Sequence, residues 1–336
     1  MSFKMSKLFS VVRNVRITCT QKYFIPWHQK LRYSSKNKDS PFYFEGQNVF
    51  NYKKVPIPKA SDIVIIGGGI YGSSIAYWLK ERAPDSFSVM VIEKDPTVRI
   101  IMYLRNPNGG ASDCSCSRRT PRSPSTDDGE IREVEFSILV IAAGPSSGEI
   151  AKMLGIGTGK GILQFPLPVQ PRKRYVYFYH CPDGPTLDFP MLIDSSGAYA
   201  TREGLGGYYL AGKSPSKSEE PDNSNLDVDH QYFDRCVWPL IANRVPAFEA
   251  LKVKSAWAGY YDYNYFDENG IVGCHPYYGN VIFATGFSGH GIQMAPAVGK
   301  AVMELILDRE YTSINLRNFG FERIIEGIPL IENHCV

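Results

Sequence analysis

The sequence predicts an α/β fold in which a parallel-sheet domain, split along the chain, encloses a smaller domain with a mainly antiparallel sheet. Three observations predict it. Residues 62–82 and 281–307 each read as a short β-branched strand, a glycine turn and a helix, in distant parts of the chain. Residues 138–141 give a further buried-type strand that stops at Ala142-Ala143-Gly144. Between these parts, residues 165–260 are rich in Tyr, Phe and Trp and punctuated by Pro and Gly, the composition of short antiparallel strands and their turns.

Taken in order, Ile63-Val64-Ile65-Ile66 is an uninterrupted apolar run ending in glycines, as expected of a parallel strand covered on both faces. Residues 70–82 have helix-forming composition and stop before Pro84, and residues 88–92 form a second strand closed by Glu93. Residues 96–130, with Pro107-Asn108-Gly109-Gly110 and Cys114-Ser115-Cys116, have no usable periodicity and read as an irregular or disordered segment. Residues 214–225 are polar and read as an exposed loop. The chain then gives a strand at 281–284, a turn at 285–291 and a helix at 295–307.

Composition narrows the class. The chain has 336 residues, 43% hydrophobic and 21% charged, which suits a globular protein. It contains no apolar run of the roughly 18–20 residues that a membrane span needs. Seven scattered cysteines fit reduced thiols better than a disulfide framework. Residues 1–38 carry nine Lys and Arg and no acid, the composition of a mitochondrial transit peptide. Without them the body has 28 basic against 34 acidic residues, so it lacks the basic surface that nucleic-acid binding requires.

Two motifs carry the chemistry. Gly67-Gly68-Gly69-Ile70-Tyr71-Gly72 satisfies G-x-G-x-x-G. In such a turn Gly67 permits the bend, Gly69 lets a pyrophosphate approach the backbone, and Gly72 lets helix and strand pack closely. Glu93, 21 residues past Gly72, is placed to accept a ribose 2′-hydroxyl. This is a Rossmann-like dinucleotide unit, common to NAD and FAD proteins. The second turn, Thr285-Gly286-Phe287-Ser288-Gly289-His290-Gly291, aims backbone N–H groups and a helix start at developing negative charge, as a reduced flavin requires. It favours FAD; an NAD-dependent dehydrogenase would make that turn an accident. The resulting domains are a leader at 1–38, a linker at 39–60, an FAD-binding domain from 61–95, 131–160 and 270–325, and a β-rich second domain at 161–269.

These motifs, with Ala142-Ala143-Gly144-Pro145 between them, resemble the D-amino-acid-oxidase-like FAD-dependent oxidoreductases, which include sarcosine oxidase and dimethylglycine dehydrogenase. The segments 171–177, 199–205 and 255–264 are similar to a mitochondrial branch of that family associated with respiratory complex I assembly. The resemblance implies FAD held by Gly67, Gly69, Gly72, Glu93, Ala143, Gly144, Gly286, Gly289, His290 and Gly291. It makes 161–269 the substrate side, and complex I subunits or assembly intermediates the partners, on the matrix side of the inner membrane. The alternative is an active oxidoreductase of sarcosine or dimethylglycine type, acting on a small amine or amino acid.

The chain also departs from the family. Glu93 and Ala142 are 49 residues apart where relatives have well over a hundred, which implies an internally shortened form. Tyr260 stands where sarcosine oxidases carry a flavin-bonded cysteine, implying non-covalent FAD. Gln293 replaces a lysine that pairs with a substrate carboxylate, so His290, Gln293 and Arg202 are the remaining catalytic candidates; Arg174 and Arg202 could supply a cation but read as structural. Cys114-x-Cys116 lacks further ligands nearby, so no metal site is expected. Tyr260-Tyr261-Asp262-Tyr263 reads as sheet core, the alternative being the lining of a substrate pocket.

Overall fold

The computed structural model describes residues 58–84, 87–93, 134–216 and 218–332, together with the backbone of Met102–Asn106 and Gly110–Cys114. The leader, most of the linker and the Cys114-x-Cys116 pair lie outside the described side chains. The described residues form two compact units: the chain up to Val169 with Asn264–Leu330, and Gln170–Tyr263.

The first unit is a five-stranded sheet. Its strands are β1 (Ala60–Ile66), β2 (Val89–Ile92), β5 (Glu135–Ile141), β11 (Ile271–Cys274) and β12 (Val281–Thr285), in the order β11-β12-β5-β1-β2. β12, β5, β1 and β2 run parallel, with Ile65 opposite both Val91 and Val140, while β11 is antiparallel to β12. The sequence needed a continuous apolar run here because both faces are covered. On one face α1 (Ile70–Arg82) and α5 (Gly291–Leu307) pack over Ile63, Ile65, Val140 and Ile282. On the other, α2 (Ser147–Met153) and α6 (Glu322–Glu326) help cover Val64, Leu139, Ile141 and Phe283. Each fully buried aliphatic side chain contributes about 1.5–3 kcal/mol.

α5 begins at Gly291, ahead of the expected position 295. Pro296 lies inside it and forfeits one backbone hydrogen bond. Its carbonyl is bonded by the Trp78 indole at 2.9 Å, which ties α5 to α1. A Cβ on Gly299 would sit 2.1 Å from Ser74 Oγ, so only glycine allows the two helices to come this close.

The second unit holds β6 (Val169–His180), β7 (Leu192–Ile193), β8 (Ala198–Arg202), β9 (Tyr208–Lys213) and β10 (Lys252–Asn264), ordered β10-β6-β9-β8-β7. β6–β9, β8–β9 and β7–β8 pair antiparallel. A helical run covers one face: α3 (His230–Tyr232) passes through a π-turn, Phe233–Val237, into α4 (Trp238–Arg244). Their common core is aromatic. Tyr179 stacks on Tyr209 at 5.4 Å and meets Phe248 edge-on at 5.3 Å, with Tyr177 and Phe233 alongside.

Three expectations change. The segment expected to be irregular at 96–130 contains two antiparallel paired strands, β3 (Met102–Asn106) with β4 (Gly110–Cys114), whose register joins Met102 to Cys114 and Asn106 to Gly110. The second domain is shorter than 161–269: Leu167 packs under β5, and Asp267 is bound to Arg323, so both flanks belong to the first unit. The tyrosines of β10 are not core. Tyr260 is exposed, whereas Tyr261 and Tyr263 lie half-buried beneath the guanidinium groups of Arg174 and Arg172.

Candidate cofactor site

The first glycine turn is shaped by close approach. Gly67 has φ +105°, and a Cβ there would fall 2.2 Å from the Ala142 carbonyl oxygen at the end of β5. A Cβ on Gly72 would fall 1.8 Å from the Gly67 oxygen, where α1 crosses back over β1. Gly69 is different: among the described residues no atom lies within 4 Å of its would-be Cβ. That open position borders the start of α1, which has neither a capping side chain nor an acid in its first turn. The first-turn N–H groups and the positive end of the helix therefore suit an anion. Gly68 N–H donates to Glu93 Oε2 at 2.6 Å, which fixes the carboxylate beside the turn.

Ala143 and Gly144 follow β5 directly, next to Gly67. Gly144, at φ +52°, opens a 3₁₀ turn that leads into α2. Thr285 Oγ1 donates to Ser147 Oγ at 2.8 Å, connecting this corner to the end of β12.

The second turn is held by side chains. Gly286, Ser288 and Gly289 all have positive φ, at 79°, 52° and 94°. Ser288 is the non-glycine residue among them, and its Oγ accepts the Asn264 N–H at 3.0 Å. Asn264 is itself fixed by Asp267 at 2.7 Å, and Asp267 forms a buried fork with Arg323, at 2.7 and 3.0 Å. Arg323 also donates to the Phe319, Gly320, Asn269 and Gly270 carbonyls. Tyr71, an unspecified position of the first motif, clasps the two turns. Its ring stacks on Phe287 at 4.1 Å and 8°, and its hydroxyl donates to the Gly291 carbonyl at 2.7 Å.

The remaining candidates divide between the two units. His290 caps α5 and is partly buried, while Gln293 is exposed on that helix's first turn. Arg202 lies in the second unit, committed to the Pro185 and Gly204 carbonyls and the Tyr209 hydroxyl. Arg174 is likewise engaged, with Glu220 through two bonds and with the Tyr261 hydroxyl. The sequence reading missed Tyr71, Asn264, Asp267 and Arg323. An Arg and an Asp of types usually exposed but found buried are visible only once the chain is folded; Asn264-x-x-Asp267 offered a faint turn signal.

A parallel βαβ unit with this glycine spacing, an acid at the second strand end and an open helix start defines a dinucleotide-binding α/β protein. Residues 62–99 and 111–305 match the family described as DAO, FAD dependent oxidoreductase, and the chain belongs to that family. It is 57% identical over 209 residues to FAD-dependent oxidoreductase domain-containing protein 1 of Xenopus laevis, covering 62% of this chain and 42% of that protein. The Bos taurus protein of the same name is 56% identical over 209 residues, covering 62% of this chain and 43% of its own length. The chain thus spans less than half the length of these relatives. Among solved structures, L-proline dehydrogenase from P. horikoshii has the same fold, with a TM-score of 0.58 at 20% identity over 82% of this chain and 100% of that one. No described helix is long and apolar enough to cross a membrane.

Proposed function

We propose that this chain binds FAD non-covalently and serves, on the matrix side of the mitochondrial inner membrane, in the assembly of respiratory complex I. The observation that carries the cofactor reading is Gly69, whose open side-chain position lies at an uncapped helix start while the glycines on either side of it in the motif are packed against backbone. The residues fit the group. Gly67, Gly69 and Gly72 with the start of α1 would hold the pyrophosphate, Glu93 the ribose, and Ala143, Gly144 and the turn from Gly286 to Gly291 the flavin side. When bound, FAD accepts a hydride from a C–H bond beside nitrogen or oxygen. The chain's own part is to orient that group, to present N–H groups of the second turn and α5 to negative charge, and to exclude water.

The assembly role rests on the resemblance of residues 171–177, 199–205 and 255–264 to the family branch described above, and the mitochondrial location on the basic, acid-free leader. Gln293, exposed where a carboxylate-pairing lysine would stand, favours that role over turnover of a simple amino acid, because a buried carboxylate wants a charged partner. The test has two arms. Anaerobic addition of amines, amino acids and hydroxy acids to the flavin-loaded chain is expected to leave the flavin oxidised; bleaching by any of them makes the chain an oxidoreductase in its own right. Expression in cells lacking the relative is expected to restore complex I on native gels, and unchanged loss of the complex would overturn the assembly role.

A further inference from the structure

Two cations are more than nine-tenths buried among the described residues, and their surroundings differ. Arg323, 7% exposed, is neutralised by the fork with Asp267. Lys173, 4% exposed on β6, forms no ion pair among the described residues. Its ammonium bonds only the neutral side-chain oxygen of Asn225, at 3.2 Å, and lies 5.5 Å from the centre of the Tyr175 ring. A buried charge without a counter-charge is costly, so this position calls for an anion.

Lys173 lines a solvent-open cleft of about 590 Å³ that lies wholly within the second unit. The Tyr175 and Tyr232 rings, 5.7 Å apart, form its apolar wall. Residues 222–229 border its mouth and are fastened to β6 by the bond from Lys173 N–H to Asn223 Oδ1, at 3.0 Å. That mouth is acidic. Asp222 is held by the Ser224 N–H and hydroxyl, and Asp229 by the Tyr232 N–H and Arg235. Asp227 is exposed, and no group among the described residues bonds its carboxylate. It starts close to the cation: the Asn225 oxygen that Lys173 bonds also accepts the Asp227 N–H, at 2.9 Å.

A buried cation beneath an acidic mouth selects by charge. A phosphate or a dicarboxylate is repelled by Asp222, Asp227 and Asp229, and a simple amine is repelled by Lys173. A molecule with one carboxylate and one ammonium satisfies both ends through charge-assisted hydrogen bonds. We propose that this cleft binds a small zwitterion, an amino acid or dipeptide, with its carboxylate on Lys173 and its ammonium on Asp227. The site uses none of the residues assigned to FAD, so it stands or falls apart from the cofactor reading.

Saturation-transfer NMR titrations of the full chain, with and without FAD, test this using L-alanine, γ-aminobutyrate and glycylglycine. Acetate and methylamine, which carry one charge each, are the controls. At least one zwitterion is expected to bind saturably, equally well with and without FAD. Acetate is expected to bind about fivefold more weakly than that zwitterion, the scale of one exposed ion pair. Asp227→Asn should bring the zwitterion down to the level of acetate and leave acetate unchanged. Lys173→Met should weaken both at least about tenfold, as loss of a buried charge partner does. It is also expected to keep the wild-type unfolding midpoint, since a hydrophobic side chain replaces a buried ion without loss. Circular dichroism confirms that each variant is folded, and the exposed Asp227 can be changed without touching the core. The proposal is overturned if none of the three zwitterions binds, if binding requires FAD, if acetate binds as tightly, or if either substitution leaves the affinity unchanged.

Discussion

Residues 67–72 and 286–291 both turn a parallel strand into a helix, yet they are closed in different ways. The first turn is shaped by backbone meeting backbone: Gly67 against Ala142, and Gly72 against Gly67 itself. The second has a non-glycine residue at positive φ, Ser288, and depends on side chains far along the chain, from Asn264 through Asp267 to Arg323. The lesson is one of range. A turn closed by missing side chains announces itself in six letters, while a turn closed by a buried polar network does not.

The contrast can be broken most severely at Gly72. Gly72→Ala places a methyl 1.8 Å from a backbone oxygen, and the expected result is loss of soluble, cooperatively folding protein. Arg323→Met should come next. It leaves the Asp267 carboxylate buried without its cation and is expected to cost about 3–5 kcal/mol in denaturant unfolding. If the second turn depends on this network, backbone amide exchange at residues 286–291 will rise in that variant even where the whole protein stays folded.

Gly69→Ala sharpens the comparison from the other side. The methyl meets no atom of the described residues, so the unfolding midpoint should stay at the wild-type value while FAD affinity, measured by fluorescence quenching, falls at least about tenfold, or 1.4 kcal/mol. Equal affinity in this variant would mean the cofactor does not use the open position. Tyr71→Phe keeps the stack on Phe287 and removes one hydrogen bond to Gly291; the expected loss in stability is about 1 kcal/mol.

A last expected effect is on pH dependence. His275 is fully buried, and burial holds its imidazole down to about 4 from 6.5. The folded state resists a proton that the unfolded chain takes up, so stability falls as pH drops from 6.5 toward 4. Glu304 acts lower down. Burial works to raise its carboxyl, but hydrogen bonds from Ser313 and Thr312 prevail and bring it to about 2 from 4.5. Its contribution is present above pH 4.5 and is lost as pH falls toward 2. Unfolding monitored across pH 2–7 should show both limbs, and Glu304→Gln should flatten only the lower one.

Much of the first unit was legible because its rules are local. Apolar runs fixed the strands around Ile65, Val140 and Phe283, and α1 was read with its observed limits from composition and Pro84. The antiparallel second sheet followed from its aromatic content. What escaped was set by distance or by competing signals. The start of α5 was read four residues too late, because Gly289-His290-Gly291 reads as turn and Pro296 inside the helix gives no local sign that it has already begun. The β10 tyrosines looked like core because aromatic strand residues usually are, but Arg172 and Arg174 take up two of the rings while Tyr177, Tyr179 and Tyr209 fill the core. Tyr71 sat inside the motif at a position the motif leaves unspecified, so its bond to Gly291, 220 residues on, had no local signature.

The central claim is that the two turns together form an FAD site in this short chain. The visible spectrum of the purified chain, mixed with FAD and then desalted, tests it most directly. Flavin bands retained at close to one cofactor per chain, and lost in Gly69→Ala, are the predicted result. A colourless wild-type protein that is folded by circular dichroism would contradict it.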